Sequence, residues 1–182
     1  MPILSRELRR RAAKIRLLLM DVDGVLTDGR IYYVPDSHGG LLETKTFHSR
    51  DGLGIRLAQE AGLKTGIISG RRSPVVEYRI RELGIDYAYQ SSLEKLEPYQ
   101  SLLKESGFKD DQVCYIGDDL VDLPVLKRAG LAVGVGNGHP LLRRHVHYWT
   151  RNPGGLGAVR ETIELILTAQ GKLAATLKHY LR

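Results

Sequence analysis

Cys114 is the sequence's only cysteine, so no disulfide can form within the chain. It sits inside the apolar run "VCYIG" and reads as a small core residue, with a reducing, cytoplasmic setting as the expectation. No membrane span or signal core is visible near the start, because the apolar run after the basic opening meets Asp21 within six residues. Repeats and low-complexity tracts are missing too. The aromatics that normally interleave a nucleic-acid surface are not there, although 27 basic against 21 acidic residues leave a net charge of +6. The densest basic cluster, "RELRRRAAKIR", makes segment 1–14 a solvated helix face. The excess charge then suits a small phosphorylated substrate better than a nucleic acid or a membrane.

What is present is an ordinary globular composition, 42% apolar and 26% charged over 182 residues. That length fits one domain, burying roughly two-thirds of its unfolded surface. Short apolar runs at 16–20, 65–68, 87–89, 113–116, 132–135 and 148–150 read as strands. They alternate with helical patterns at 53–61, 74–83, 95–105, 120–128 and 156–169, which predicts an α/β fold with a mostly parallel sheet. Ser73, Pro74 and Glu77 give the second helix an N-cap, a first-turn proline and a capping box, and Gly84 closes it. Gly130 is expected to close the helix before it in the same way. Residues 28–47 break the alternation. "GRIYYVPDSHGGLLETKTF" reads as two extended arms around a polar turn, a β-hairpin projecting from the end of the sheet.

In open parallel sheets, ligands bind beyond the carboxyl ends of the strands. Asp21 and Asp23 follow the first strand, Ser69 and Gly70 follow "TGII", Lys95 follows the short strand, and "GDDLVD" (117–122) follows "VCYI". Turn aspartates and N-caps would explain each residue alone, but not all four strand ends together. Asp21, Asp23, Asp118 and Asp119 would repel one another unless a hard divalent cation sat among them. Oxygen ligands suit Mg²⁺, whereas zinc would call for His and Cys that are missing here. A metal draws a phosphate, for which Lys95, the Ser69 hydroxyl and the Gly70 N–H supply charge and donors. One aspartate can then attack phosphorus while its neighbour handles the leaving-group proton.

"DVDGVLTDG", "IISG", Lys95 and "GDDLVD", in this order, resemble the four motifs of the haloacid dehalogenase superfamily of phosphatases. The resemblance implies a Rossmann-like, doubly wound sheet and assigns roles by motif. Asp21 is the nucleophile that forms an aspartyl-phosphate. Asp23 is the general acid and then base, its backbone carbonyl also binding Mg²⁺. Asp118 is the second carboxylate ligand, with Asp119 and Asp122 behind it, while Ser69 and Lys95 hold the phosphoryl group. The intervals after the first two motifs leave no room for a cap domain, so the open site must take a large substrate or be closed by another subunit.

"FHSRDGLGIR", "SGRRSPVVEYR" and "NPGGLGAVRE" are similar to segments of the capless 3-deoxy-D-manno-octulosonate 8-phosphate phosphatases. That likeness implies Mg²⁺-dependent homotetramers acting in lipopolysaccharide precursor synthesis. The family's substrate-contacting positions fall here on Asp23, His48, Ser49, Arg50, Asp51, Gly52, Arg56, Arg71, Arg79 and Lys95; a sugar acid bearing carboxylate and phosphate wants several guanidinium groups. Two alternatives stay open: a phosphatase for sialic-acid-like nonulosonate 9-phosphates, and a non-catalytic binding module of the same fold. The hairpin is expected at subunit contacts. The tail, 171–182, either follows a core-packing helix or reaches a neighbouring site.

Overall fold

A computed structural model describes residues 4–181. Met1–Ile3 of the basic segment and Arg182 of the tail lie outside the described residues. Strands β1 (Leu17–Met20), β4 (Lys64–Ile68), β5 (Tyr87–Tyr89), β6 (Val113–Gly117), β7 (Leu131–Gly134) and β8 (Tyr148–Trp149) form one sheet in the order β5-β4-β1-β6-β7-β8. Every neighbouring pair in it is parallel. All four β1 residues are fully buried, as expected of a central strand covered on both faces. Alternation along β1 and β6 divides the core in two. Leu18, Met20, Cys114 and Ile116 meet helices α1 (Arg6–Ala13), α2 (Ser49–Glu60), α3 (Pro74–Leu83) and α6 (Ala158–Ala169). Leu17, Leu19, Val113 and Tyr115 meet α4 (Leu96–Ser106) and α5 (Leu123–Leu126) on the other face. A period of two on a strand requires this division, and it makes the sheet doubly wound.

Where the helices depart from expectation, backbone chemistry explains it. Helix α2 starts four residues before position 53, capped by His48, whose Nδ1 accepts from the Arg50 N–H (3.1 Å). Its internal glycines argue against a helix by propensity, yet packing needs them: a Cβ on Gly54 would lie 2.9 Å from Arg160 Cδ on α6. The stretch 120–128 is not one helix. A 3₁₀ turn (Leu120–Asp122) precedes the single turn of α5, because Pro124 has no N–H for the Leu120 carbonyl. Gly130 closes no helix; it is small because a Cβ there would sit 2.6 Å from the Asp111 backbone. Helix α6 begins only at Ala158, after Gly157 at φ 110°. Gly84 does end α3 in the left-handed conformation, at φ 62°. The Ser73 hydroxyl, however, makes no capping bond, and Glu77 pairs with Arg72 instead (3.0 Å).

Between β1 and α2 stands the expected hairpin, β2 (Tyr32–Pro35) antiparallel to β3 (Leu41–Thr44). Asp36 builds its turn, accepting from the His38 and Gly40 N–H groups at 2.7 and 2.8 Å. Tyr33 and Leu41 on the arms are 58% and 67% exposed. Beyond α6, a short helix α7 (Leu173–Leu177) folds the tail back, packing Leu173 and Leu177 against the core. No helix among the described residues is long and apolar enough to cross a membrane.

Candidate active site

The carboxyl ends of β1, β4, β5 and β6 bring Asp21, Asp23, Ser69, Gly70, Lys95, Asp118 and Asp119 around one cavity of about 300 Å³, with Arg71 at its edge. Lys95 is its electrostatic centre. Only 2% exposed, it stands 2.7 Å from both Asp21 Oδ2 and Asp122 Oδ1. Burial works against its ammonium, but these two carboxylates outweigh it and hold the pKa above the ordinary lysine value. Asp122 is fully spoken for. Its Oδ1 also accepts from the Tyr115 hydroxyl (2.7 Å), and its Oδ2 takes the N–H groups of Asp118 (2.9 Å) and Asp119 (3.2 Å). It therefore fixes both Lys95 and the loop carrying Asp118. Asp119 is exposed and turns its Oδ1 to the Leu120 N–H (2.7 Å).

Asp21 and Asp118 are left less well compensated. Burial, then Asp122, push Asp21 up to about 6, against the opposing pull of Lys95. Burial, then Asp21 and Asp122, push Asp118 up to about 8. Asp118 Oδ1 is buried with no hydrogen-bond donor. Carboxylate oxygens of Asp21, Asp118 and Asp122 lie within 4.8 Å of one another. Since Asp122 is already saturated by donors, Asp21 and Asp118 are the pair that could hold a metal, and a hard cation would satisfy the Asp118 oxygen that nothing else reaches. Room for the Asp118 carboxylate is made by Gly24, where a Cβ would come within 2.1 Å of Oδ2.

The loop after Met20 is held from two sides. The Val22 N–H donates to Asp21 Oδ1 (2.6 Å), and the Thr27 hydroxyl donates to the Val22 carbonyl (3.3 Å). From outside, residues 153–157 press against it so closely that a Cβ on Gly155 would lie 2.3 Å from the Asp28 nitrogen. "NPGGLG" is thus a brace under the aspartate loop. Asp51 pins that brace, its carboxylate accepting from the Gly157 and Arg160 N–H groups at 3.0 and 2.8 Å. Asp51 is only 1% exposed and is absent from the lining of the aspartate cavity.

The remaining expected substrate contacts gather elsewhere. Ser49, Gly52, Arg56 and Arg79 line a separate cavity of about 230 Å³ between α2 and α3. Arg79 lies over the Phe47 ring, 5.4 Å from its centroid, and pairs with Glu82 (2.6 Å). His48 is taken up as a helix cap and Arg50 is exposed. Within one chain the expected contacts therefore form two groups. A larger cavity, about 1120 Å³, lies among Lys14, Arg16, Lys64 and Lys109, and its one carboxylate, Asp111, is paired with Lys14.

Two residues of the aspartate site escape a reading of the sequence. Tyr115 lies in an apolar strand, where its hydroxyl gives no sign of facing a carboxylate. Lys45 is buried and contacts Asp23 Oδ1; its only signal is the alternation of "ETKTF", which puts it on one face with Glu43.

A model of the haloacid dehalogenase-like hydrolases matches residues 54–130. The 3-deoxy-D-manno-octulosonate 8-phosphate phosphatase of Yersinia pestis is 48% identical over 163 residues, 90% of this chain and 85% of that protein. Among solved structures, a probable YrbI family phosphatase from Pseudomonas syringae has a TM-score of 0.92 at 46% identity, with 98% of this chain and 99% of that one covered. The 3-deoxy-D-manno-octulosonate 8-phosphate phosphatase of Moraxella catarrhalis was solved in complex with a magnesium ion, a phosphate ion and a KDO molecule. It has a TM-score of 0.91 at 41% identity and covers 97% and 99% of the two chains. With no element beyond the hairpin between β1 and α2, and identity of this extent along nearly the whole chain, the protein belongs to the capless 3-deoxy-D-manno-octulosonate 8-phosphate phosphatase family of the haloacid dehalogenase-like hydrolases.

Proposed function

We propose that this chain hydrolyses 3-deoxy-D-manno-octulosonate 8-phosphate to the free sugar acid and phosphate, as a step in lipopolysaccharide precursor synthesis in the cytoplasm. The observation that carries the reading is the buried Asp21–Lys95–Asp122 chain beside the unsatisfied Asp118, in a chain 48% identical to a phosphatase of that name. Asp21 attacks phosphorus, and the bond from phosphorus to the sugar's oxygen breaks as that oxygen takes a proton from Asp23. Asp23 then takes a proton from water as the water oxygen attacks the aspartyl-phosphate, the bond from phosphorus to Asp21 breaks, and phosphate leaves. Lys95, Ser69 and the Gly70 N–H bind the phosphoryl oxygens. Asp21, Asp118 and the Asp23 carbonyl would hold Mg²⁺, which when bound neutralises charge on the phosphate.

Arg71 is the one expected guanidinium at this cavity, and a sugar acid carries a second anionic group. His48, Ser49, Arg50, Arg56 and Arg79 stand in the other group, so a homotetramer accounts for them if a neighbouring subunit presents that group to the open site. The hairpin supports this, since its exposed apolar arms are the kind of surface that a second copy covers. A phosphate-release screen across sugar phosphates and sugar-acid phosphates tests the reading. The 8-phosphate of 3-deoxy-D-manno-octulosonate is expected to give the highest kcat/KM. A higher value for a nonulosonate 9-phosphate or a plain hexose phosphate would overturn it, and no Mg²⁺-dependent turnover of any substrate would leave a binding module.

A further inference from the structure

The hairpin partitions its side chains in reverse. Tyr33, Val34, Leu41 and Leu42 are exposed, whereas Lys45, just past the end of β3, is 6% exposed with its side chain wholly covered. Lysine is among the residues least often buried, and an ammonium out of water is stable only against a partner. The partner is Asp23, whose Oδ1 it contacts directly, with Glu43 Oε1 3.5 Å away on the same face of the strand. Glu43 in turn reaches Arg71 at the cavity edge, 3.9 Å from Nη1. The hairpin thus delivers a cation to the one aspartate of the pair that Lys95 does not hold.

We infer that Lys45 is a positioning residue for the leaving-group proton transfer, fixing the Asp23 carboxylate by a buried contact from the hairpin. This rests on Asp23 acting as the acid. Lys95 and the Val22 N–H fix Asp21. Asp23 is fixed by no donor from the β1 loop's own backbone among the described residues, so without Lys45 its carboxylate is free to change rotamer. Misplacement on the order of 1 Å can cost about 10²-fold in rate. The hairpin arm that projects into solvent therefore also sets the geometry of proton transfer.

A leaving-group comparison separates positioning from a purely structural ion pair. kcat/KM covers the steps through phosphoryl transfer. A primary alkyl phosphate such as the sugar-acid 8-phosphate needs its leaving oxygen protonated there, whereas p-nitrophenyl phosphate releases a stable anion. Lys45→Met is expected to lower kcat/KM by about 10²-fold on the alkyl ester and by less than about 10-fold on the aryl ester. Asp23→Asn should split the two substrates in the same direction, and adding Lys45→Met to it should widen the split no further. Equal losses on both substrates in Lys45→Met, with Asp23→Asn still splitting them, would overturn the inference. If Asp23→Asn gave no split, the acid role of Asp23 would fall, and this inference with it. Should Lys45→Met fail to fold, Lys45→Arg carries the test: a smaller loss confined to the alkyl ester supports positioning, and an equal loss on both esters, or none, refutes it.

Discussion

Asp118 and Glu161 are both substantially withdrawn from water, and their surroundings treat them in opposite ways. Glu161 receives four donors: the Tyr148 hydroxyl (2.6 Å), the N–H groups of Arg151 and Asn152 (3.1 and 3.0 Å) and the Asn152 side-chain amide (2.7 Å). Burial works to raise its pKa, but these bonds outweigh it and leave it below the ordinary glutamate value. Asp51, with two backbone donors, is still raised by burial. Asp118 has a buried oxygen with no donor and rises to about 8. Glu161 and Asp51 both hold the segment that braces the aspartate loop, and they differ from Asp118 in having donors for both carboxylate oxygens. A carboxylate that the protein satisfies by itself is a fastener; one left unsatisfied is kept for a ligand.

The largest effect expected is on Asp21, where Asp21→Asn should reduce turnover to background while the fold, read by circular dichroism, stays intact. An amide cannot attack phosphorus, and activity near the native level would end the covalent reading. Metal comes next. A proton held up to about pH 8 on Asp118 would have to leave for Mg²⁺ to bind, so affinity measured calorimetrically should weaken by about tenfold per pH unit from 8 down to about 6, and more steeply below, where Asp21 is protonated too. Affinity independent of pH between about 6 and 8 would show that no proton on Asp118 has to leave for the metal.

Stability should divide the two carboxylates by sign. Raised in the folded state, Asp118 binds its proton more tightly there than when unfolded. In metal-free protein its contribution thus turns unfavourable as pH rises from the ordinary carboxylate range to about 8. Glu161 is lowered, so its contribution is present above the unfolded glutamate value and lost as pH falls through the folded one. Glu161→Gln should therefore cost about 1.5–3 kcal/mol at pH 8. Asp118→Asn, in chelator, should instead stabilise by about 0.5–2 kcal/mol. Thermal or urea unfolding reads both, and two losses of equal size would erase the distinction.

The alternation of strands and helices was legible because a sheet buried on both faces needs short apolar runs, and β1 shows one. Asp21, Asp23, Ser69, Lys95 and Asp118 could be placed at strand ends for the same reason, since a parallel sheet aligns those ends. What could not be read depended on partners far along the chain. Gly54 of α2 makes sense only against Arg160, more than a hundred residues later, and Gly52 only against Arg79. Asp51 carries a substrate-contact motif, yet the structure turns it onto the N-terminus of α6. Lys45 was invisible for the opposite reason: a lysine at the foot of an exposed hairpin is ordinarily solvated, and only the fold brings Asp23 to it.

One matched pair of substitutions sharpens the comparison with the chemistry held constant. Tyr148 and Tyr115 each donate a hydroxyl to a carboxylate, the first to Glu161 (2.6 Å) and the second to Asp122 (2.7 Å). Tyr→Phe removes the same bond in both, and each should lose about 0.5–1.5 kcal/mol of stability. Glu161 keeps three donors after Tyr148→Phe and touches nothing in the cavity, so kcat/KM should stay within about twofold of native. Asp122 shares the oxygen that Tyr115 holds with Lys95, and Lys95 pairs with Asp21. Tyr115→Phe should therefore also lower kcat/KM, by about tenfold, as loss of an outer partner does at other sites. If both variants lost stability alone, Asp122 would be a fastener like Glu161, and the orientation of Lys95 would have to come from Asp21.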